Sequence, residues 1–198
     1  GSLEVLNILA NASATIAEGE VLQLTVSRDI STDEEIYLKV IRGKTAALFS
    51  AATQVGAVIS GSEETIINAL YKYGDALGVA FQIVDDLLDV VGDSRIIGKN
   101  NGDDFRERKL TLPFIKAISS CNQNEKDFWK RTIEKGDQTS EDFNTALELM
   151  QKYEAIERTR MDAQKWAKTA KNSLDAVPDN DIKIILKNLA DYVVDRVK

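Results

Sequence analysis

The chain of 198 residues contains no histidine, and that absence removes several kinds of chemistry at once. Histidine-dependent catalytic triads, His-ligated zinc and a haem with a proximal histidine are excluded. Its one cysteine, Cys121, cannot form an internal disulfide and fits a reducing compartment such as the cytoplasm. With only two prolines and 11 glycines there is little to interrupt long helices. The formal net charge is -7, so nucleic acid and anionic membrane are disfavoured as nonspecific partners. An anionic ligand would have to be met by a local positive patch or by metal ions. Residues 1–30 show no basic segment followed by an apolar one, so no signal peptide is read there. The uncharged run from Thr45 to Ser62 is diluted by Ser, Thr, Gln and Gly. It reads as a buried core helix rather than a membrane span.

What the sequence does have is helical periodicity. Leu3, Leu6, Leu9 and Ala10 recur at helical spacing, followed by Ala14, Ala17, Val21 and Leu24. "STDEE" at 31–35 offers two overlapping capping boxes, Ser31 with Glu34 and Thr32 with Glu35. The helix after it should run to about Ile59, ending at Gly61, with Ser62 available to cap the next. That next helix is expected over about 63–91, with Gly92 closing it and a Gly/Asn/Asp-rich loop extending to about Leu110. Pro113 suits the first turn of a new helix. Further helical patterns span roughly 113–120, 125–134, 139–153 and 155–174. Asp179 or Asn180 then caps a final helix through Asp195. The expected fold is all-α, an antiparallel helical bundle forming a single domain over 1–198.

Within this pattern, "FQIVDDLLDVVGD" sets Asp85, Asp86 and Asp89 into an apolar run. On a helix Asp85 and Asp89 lie within roughly 40° of each other, and Asp86 about 100° from Asp85. Buried carboxylates need partners. With no imidazole or thiolate nearby, the ion they favour is a hard one, magnesium above all. A solvated helix face is the alternative, weakened by the apolar flanks and by the lysines just downstream. A calcium-binding loop over 93–104 is rejected, because Arg95 and Ile97 stand at ligand positions. Lys44 falls on the inward stripe of Ile36, Val40, Ala47 and Ala51, although a lysine there can also reach solvent. Gln82 can equally be an ordinary buried amide, and Phe81 core.

Four segments then point the same way. "GVAFQIVDDLLDVVGD" resembles the second aspartate-rich motif of the trans-type isoprenyl diphosphate synthases, or polyprenyl synthetases. "GKNNGDDFRERKLTLP", "RGKTAALF" and "EGEVLQL" resemble that family's downstream Gly-Lys to Thr-x-Pro segment, its Lys-Thr motif and its Gly-Glu helix segment, in the family's order. The resemblance implies an isoprenoid-synthase helical bundle that condenses an allylic diphosphate with isopentenyl diphosphate. It implies magnesium held by Asp85, Asp86 and Asp89, and an allylic diphosphate met by Lys44, Lys99 and Lys109. Thr45 and Gln82 would face the allylic cation, and Asp103 would stand behind the metal ligands. It further implies a homodimer and, from "GDDFRERKLTLP", a bacterial long-chain synthase making a quinone side chain such as that of ubiquinone. Two departures stand out. Arg108 occupies a position where the family usually has glycine. The family's first aspartate-rich motif and its isopentenyl diphosphate lysine and arginine are not among these residues, so the chain is read as the carboxy-terminal part of a synthase, incomplete at its amino terminus and inactive alone. A noncatalytic helical partner subunit is the rival reading. A terpene cyclase is a third, disfavoured by the Lys-Thr motif and the downstream lysines.

Overall fold

The structure, a computed structural model, describes residues 1–91 and 101–196. Among the described residues every regular element is helical. Helix α1 (Leu3–Val26) is followed by α2 (Glu34–Ile41), which runs without a break through a π-helical turn (Arg42–Ala46) into α3 (Ala47–Ile59). The long central helix α4 (Glu64–Val91) comes next. A single turn, α5 (Asp103–Arg106), precedes α6 (Leu112–Ser120), and α7 (Gln123–Trp129) extends through a second π segment (Lys130–Glu134). Helices α8 (Asp142–Lys152), α9 (Ala155–Ser173) and α10 (Asp181–Asp195) complete the fold. None of the described helices is long and apolar enough to cross a membrane.

The boundaries follow local chemistry. Asn180 caps α10 through the Lys183 amide, and Asn122 with Glu125 forms a capping box on α7. Pro113 sits in the first turn of α6, where its missing N–H leaves no orphan donor. Helix α2 departs from expectation. Its cap is Asp33, which accepts from the Ile36 amide at 2.9 Å. Ser31 instead donates to Asp29 and the Thr32 hydroxyl to the Val26 carbonyl, which turns both side chains back toward the preceding turn. Ser62 bonds the Ser60 hydroxyl rather than opening a helix, and α4 begins at Glu64. The segment read as loop up to Leu110 contains α5.

Helix α4 is the axis of the bundle, packed chiefly between α3 and α9. Its approach to α3 depends on small residues. A Cβ at Gly74 would lie 2.5 Å from the Phe49 carbonyl oxygen, and one at Gly78 would lie 2.6 Å from the Ala46 Cα. Ala163, Ala167 and Ala170 line the buried face of α9 at helical spacing. A second core, around Phe105, Phe114, Trp129 and Met150, fixes α5 and α6 against the remaining helices. Because α4 and α6 bracket the segment that carries Lys109 and Thr111, these two cores set the position of the site.

Candidate active site

Helix α1 crosses the α2–α3 helix at glycines. A Cβ on Gly19 would fall 2.4 Å from the Lys44 amide nitrogen and 2.9 Å from the Gly43 Cα, so the two backbones touch there. The crossing coincides with the π turn Arg42–Ala46. A turn closed by i→i+5 bonds holds more residues than an α turn, so consecutive side chains are separated by less than the usual 100°. Lys44 and Thr45 are thereby brought toward a common side. The Lys44 ammonium lies 2.8 Å from Gln23 Oε1 and 3.5 Å from Glu20 Oε1, both on α1.

Thr45 reaches across to α4. Its hydroxyl donates to Gln82 Oε1 at 2.7 Å, and Gln82 Nε2 donates to Asp86 Oδ1 at 2.9 Å. The other oxygen of Asp86 accepts from the Tyr37 hydroxyl at 2.5 Å. Tyr37 and Asp86 are each only 4% exposed. A cavity of ≈ 50 Å³ is lined by Tyr37, Lys44, Gln82, Asp86, Lys109 and Thr111, among others. The Thr111 hydroxyl at its edge is buried and has no hydrogen-bond partner among the described residues.

The three aspartates are not equivalent. Asp85 is exposed, Asp86 is buried and Asp89 is half-buried. Asp89 accepts from the amides of Asp103 and Asp104 at 3.1 and 3.2 Å, which anchors α5 to α4. Asp86, expected beside the other two as a metal ligand, is turned inward with both oxygens engaged. The physical reason is its 100° offset from Asp85, which aims it at Tyr37. Burial pushes the Asp86 carboxyl up to about 8, against the lowering effect of the Tyr37 bond. Burial, and then the charge of Asp89, pushes Asp104 up to about 6, with Lys109 only partly offsetting them. Asp89 is raised by burial as well, despite its two amide donors. The cluster thus sets several carboxyls together where burial and mutual repulsion make charge costly, with too little positive charge from the protein to offset it.

A divalent cation fits that imbalance. Among the described residues no three acidic side chains converge closely enough to enclose a metal ion. Magnesium, however, is commonly held by one or two carboxylates together with phosphate oxygens. Asp85, Asp89 and Asp104 keep surface open to such an ion, whereas Asp86 is buried away from it. Lys109 pairs with Glu107 and lies 3.7 Å from Asp104, next to the same cavity. Asp103 is bound by Arg106 at 2.7 Å. Lys99 lies outside the described residues.

Arg108 has φ +59°, the left-handed region. This gives a backbone reason for the glycine expected at that position. Sequence reasoning missed Tyr37, Gln23 and Asp104 as members of the site. For Tyr37 a signal was present, since it shares a helical face with Ile41 and Lys44 at i, i+4 and i+7. Gln23 lies one turn beyond Gly19, on the side where α1 meets the π turn.

The polyprenyl synthetase family model matches residues 1–150. The octaprenyl diphosphate synthase of Haemophilus influenzae is 37% identical over 195 residues, covering 98% of this chain and 59% of its own length. The crystal structure of a decaprenyl diphosphate synthase from Rhodobacter capsulatus superposes with a TM-score of 0.95 at 58% identity, over 100% of this chain and 61% of that one. A polyprenyl synthase from Caulobacter crescentus, solved in complex with calcium and isoprenyl diphosphate, gives a TM-score of 0.95 at 45% identity, over 100% and 60%. The chain thus spans about 60% of the length of these relatives. With the family model matching residues 1–150 and a relative 37% identical over 98% of its length, the chain belongs to the polyprenyl synthetase family.

Proposed function

We propose that the polypeptide carrying this chain is a magnesium-dependent prenyltransferase. It condenses an allylic diphosphate with isopentenyl diphosphate to give a longer trans-polyprenyl diphosphate, a quinone side-chain precursor. The observation that carries the reading is the convergence of Lys44, Thr45 and Gln82 beside the acidic cluster of α4 and α5. The long-chain assignment rests on the octaprenyl and decaprenyl relatives. We place these residues in one helical domain, working in the cytoplasm.

In this reading Asp85 and Asp89, with Asp104, hold the magnesium, which neutralises the leaving diphosphate. Lys44, Lys109 and Lys99 counter the diphosphate charge that grows as the allylic C–O bond breaks. Thr45 and Gln82 set oxygen dipoles against the positive carbon left behind. The double bond of isopentenyl diphosphate then forms the new C–C bond, and a proton is lost from the resulting cation. The apolar residues Val40 and Ile41 flank the cavity and limit access of water to that cation.

A homodimer is proposed from α1, which leaves Leu3, Leu6 and Leu24 at 78, 61 and 77% exposure. Sedimentation of the full-length polypeptide as a monomer at micromolar concentration would contradict the dimer. The function is tested by incorporation of radiolabelled isopentenyl diphosphate into extended products, with magnesium and with EDTA. Magnesium-dependent elongation is expected. Absence of elongation with every allylic starter, or undiminished turnover in EDTA, would overturn the reading.

A further inference from the structure

One buried group near the site has no role in the chemistry above. Tyr37 puts its only side-chain polar atom, 2.5 Å away, onto Asp86 Oδ2, from a point two turns before Lys44 on the α2–α3 helix. From there the bonds run in one direction. Asp86 Oδ1 accepts from the nitrogen end of the Gln82 carboxamide, and the oxygen end of that carboxamide accepts from Thr45. A carboxamide has two ends and can flip, and reversing it would aim an N–H at Thr45 and an oxygen at Asp86. Two oxygens facing each other at Asp86 would be repulsive, so Asp86 selects the observed orientation.

We infer that Tyr37 is a positioning residue: acting through Asp86, it fixes Gln82 and then Thr45 so that the oxygen lone pairs of both side chains are left for the allylic cation. With its proton committed to Gln82, the Thr45 oxygen can offer only lone pairs. Gln82 Oε1 keeps one lone pair beyond the bond from Thr45. A positive carbon is stabilised by such oxygens and repelled by donors, so the orientation of one amide decides whether the wall helps or hinders. The inference rests on the proposed prenyl transfer, and it gives Asp86 an orienting role in place of metal coordination.

The test compares two probes on the full-length polypeptide at saturating magnesium with pyrophosphate present. One is an alkylammonium compound with a positive nitrogen in place of the cationic carbon, and the other is its uncharged carbon isostere. Tyr37→Phe keeps the ring and removes one hydroxyl. It should weaken binding of the ammonium probe about tenfold, the order set by one hydrogen bond serving a charge, and leave the neutral probe and the magnesium half-saturation unchanged. In turnover, kcat should fall by a similar factor at unchanged KM for the allylic substrate. Asp86→Leu provides a second route if Tyr37→Phe does not fold. Leucine at 86 keeps a similar shape and has no acceptor, so the bonds from Tyr37 and Gln82 are both lost, and the same selective loss is expected. Thr45→Val separates the two levels. If it leaves the ratio of the two affinities unchanged, the cation-facing role of Thr45 is wrong and the proposed function loses its support. If Thr45→Val lowers that ratio while Tyr37→Phe, or Asp86→Leu in its place, leaves it unchanged, the positioning role is refuted. A raised magnesium half-saturation in Asp86→Leu, without the ratio changing, would refute it too and return Asp86 to the metal.

Discussion

Gly19 and Gly56 are both helical glycines, yet the same substitution should move them in opposite directions. At Gly56, on the exposed side of α3, an added Cβ meets nothing within 4 Å. Alanine there removes backbone freedom from the unfolded chain and should stabilise by about 0.5–1 kcal/mol. At Gly19 the same methyl would lie 2.4 Å from the Lys44 nitrogen, 2.7 Å from the Gly43 carbonyl carbon and 2.9 Å from the Gly43 Cα. All three are main-chain atoms and cannot swing aside as a flexible side chain can. Relief requires α1 to move off the π turn, which opens the contact on either side. Overpacking of this kind costs about 1–3 kcal/mol, more than the helix-propensity gain returns. For a chain of this size, about 1 kcal/mol corresponds to roughly 2–4 °C in Tm. Gly56→Ala should therefore melt about 1–4 °C above the parent and Gly19→Ala several degrees below it, by calorimetry or by circular dichroism at 222 nm. Gly19→Ala should also lose the Lys44–Gln23 bond, because the amide of Lys44 is the atom displaced. If Gly19→Ala melts at or above the parent, the close crossing is wrong, and with it the account of how Lys44 is placed.

Three further outcomes follow from the same geometry. Arg108→Gly should raise stability by about 0.5–1 kcal/mol, since a side chain at φ +59° carries left-handed strain that glycine avoids; a lower urea midpoint for the variant would argue against it. The bidentate Arg131 guanidinium, helped by the Thr139 amide, holds the Asp142 carboxyl down to about 2, below the usual 3.8. A depressed carboxyl stabilises fully above its unfolded pKa and loses that contribution as pH falls through the folded one. Asp142→Asn should thus cost on the order of 1–2 kcal/mol at pH 7, allowing for solvent at the half-exposed Arg131, and the two stability curves should converge as pH drops from about 4 to 2. A gap that persists at pH 2 would exclude the ion pair as its source. Finally, the 198 residues alone should make no polyprenyl product from farnesyl and isopentenyl diphosphates with magnesium, because they hold one aspartate-rich motif and none of the residues assigned to isopentenyl diphosphate; positioning of the acceptor accounts for roughly 7–11 kcal/mol of such a barrier. Elongation by the mass-verified chain would show that the acceptor site lies within it.

Most of the helical layout was legible because it is carried by local signals. Asn180 and Pro113 mark the starts of α10 and α6, and the apolar spacing of α9 holds from Ala155 to Ala170. What escaped was set by partners distant in sequence. Asp33 caps α2 while Ser31 and Thr32 are turned back toward Asp29 and Val26. The π turn has no composition that separates it from an α turn, and it becomes intelligible only where Gly19 presses on Gly43. Helix α5 is too short to show a period, and it stands because Asp89 accepts its first amides. Of the candidate site residues, Asp85 and Asp89 stood out as carboxylates in an apolar run and Thr45 and Gln82 took their roles from motif resemblance, whereas Tyr37 belongs to no quoted motif and needed the fold to reach Asp86 across 49 residues.

The triplet on α4 shows why residue type and spacing do not by themselves assign roles. Successive residues on a helix diverge by about 100°, so Asp85 and Asp86 cannot face the same surroundings. Asp85 faces solvent, where it can meet a cation. Asp86 faces Tyr37 and Gln82, where burial makes charge expensive and hydrogen-bond direction becomes its useful property. Asp89 returns near the azimuth of Asp85 one turn later, but α5 lies over it, and two amides from that turn take up its oxygens. Asp104, delivered by α5, brings the further carboxylate to the cluster. A cation at this site would therefore bind across the α4–α5 junction rather than along one helix face. Its affinity then depends on the Asp89 bonds that hold the two helices in register, and those bonds are made by backbone amides that, of the substitutions at 103 or 104, only proline removes.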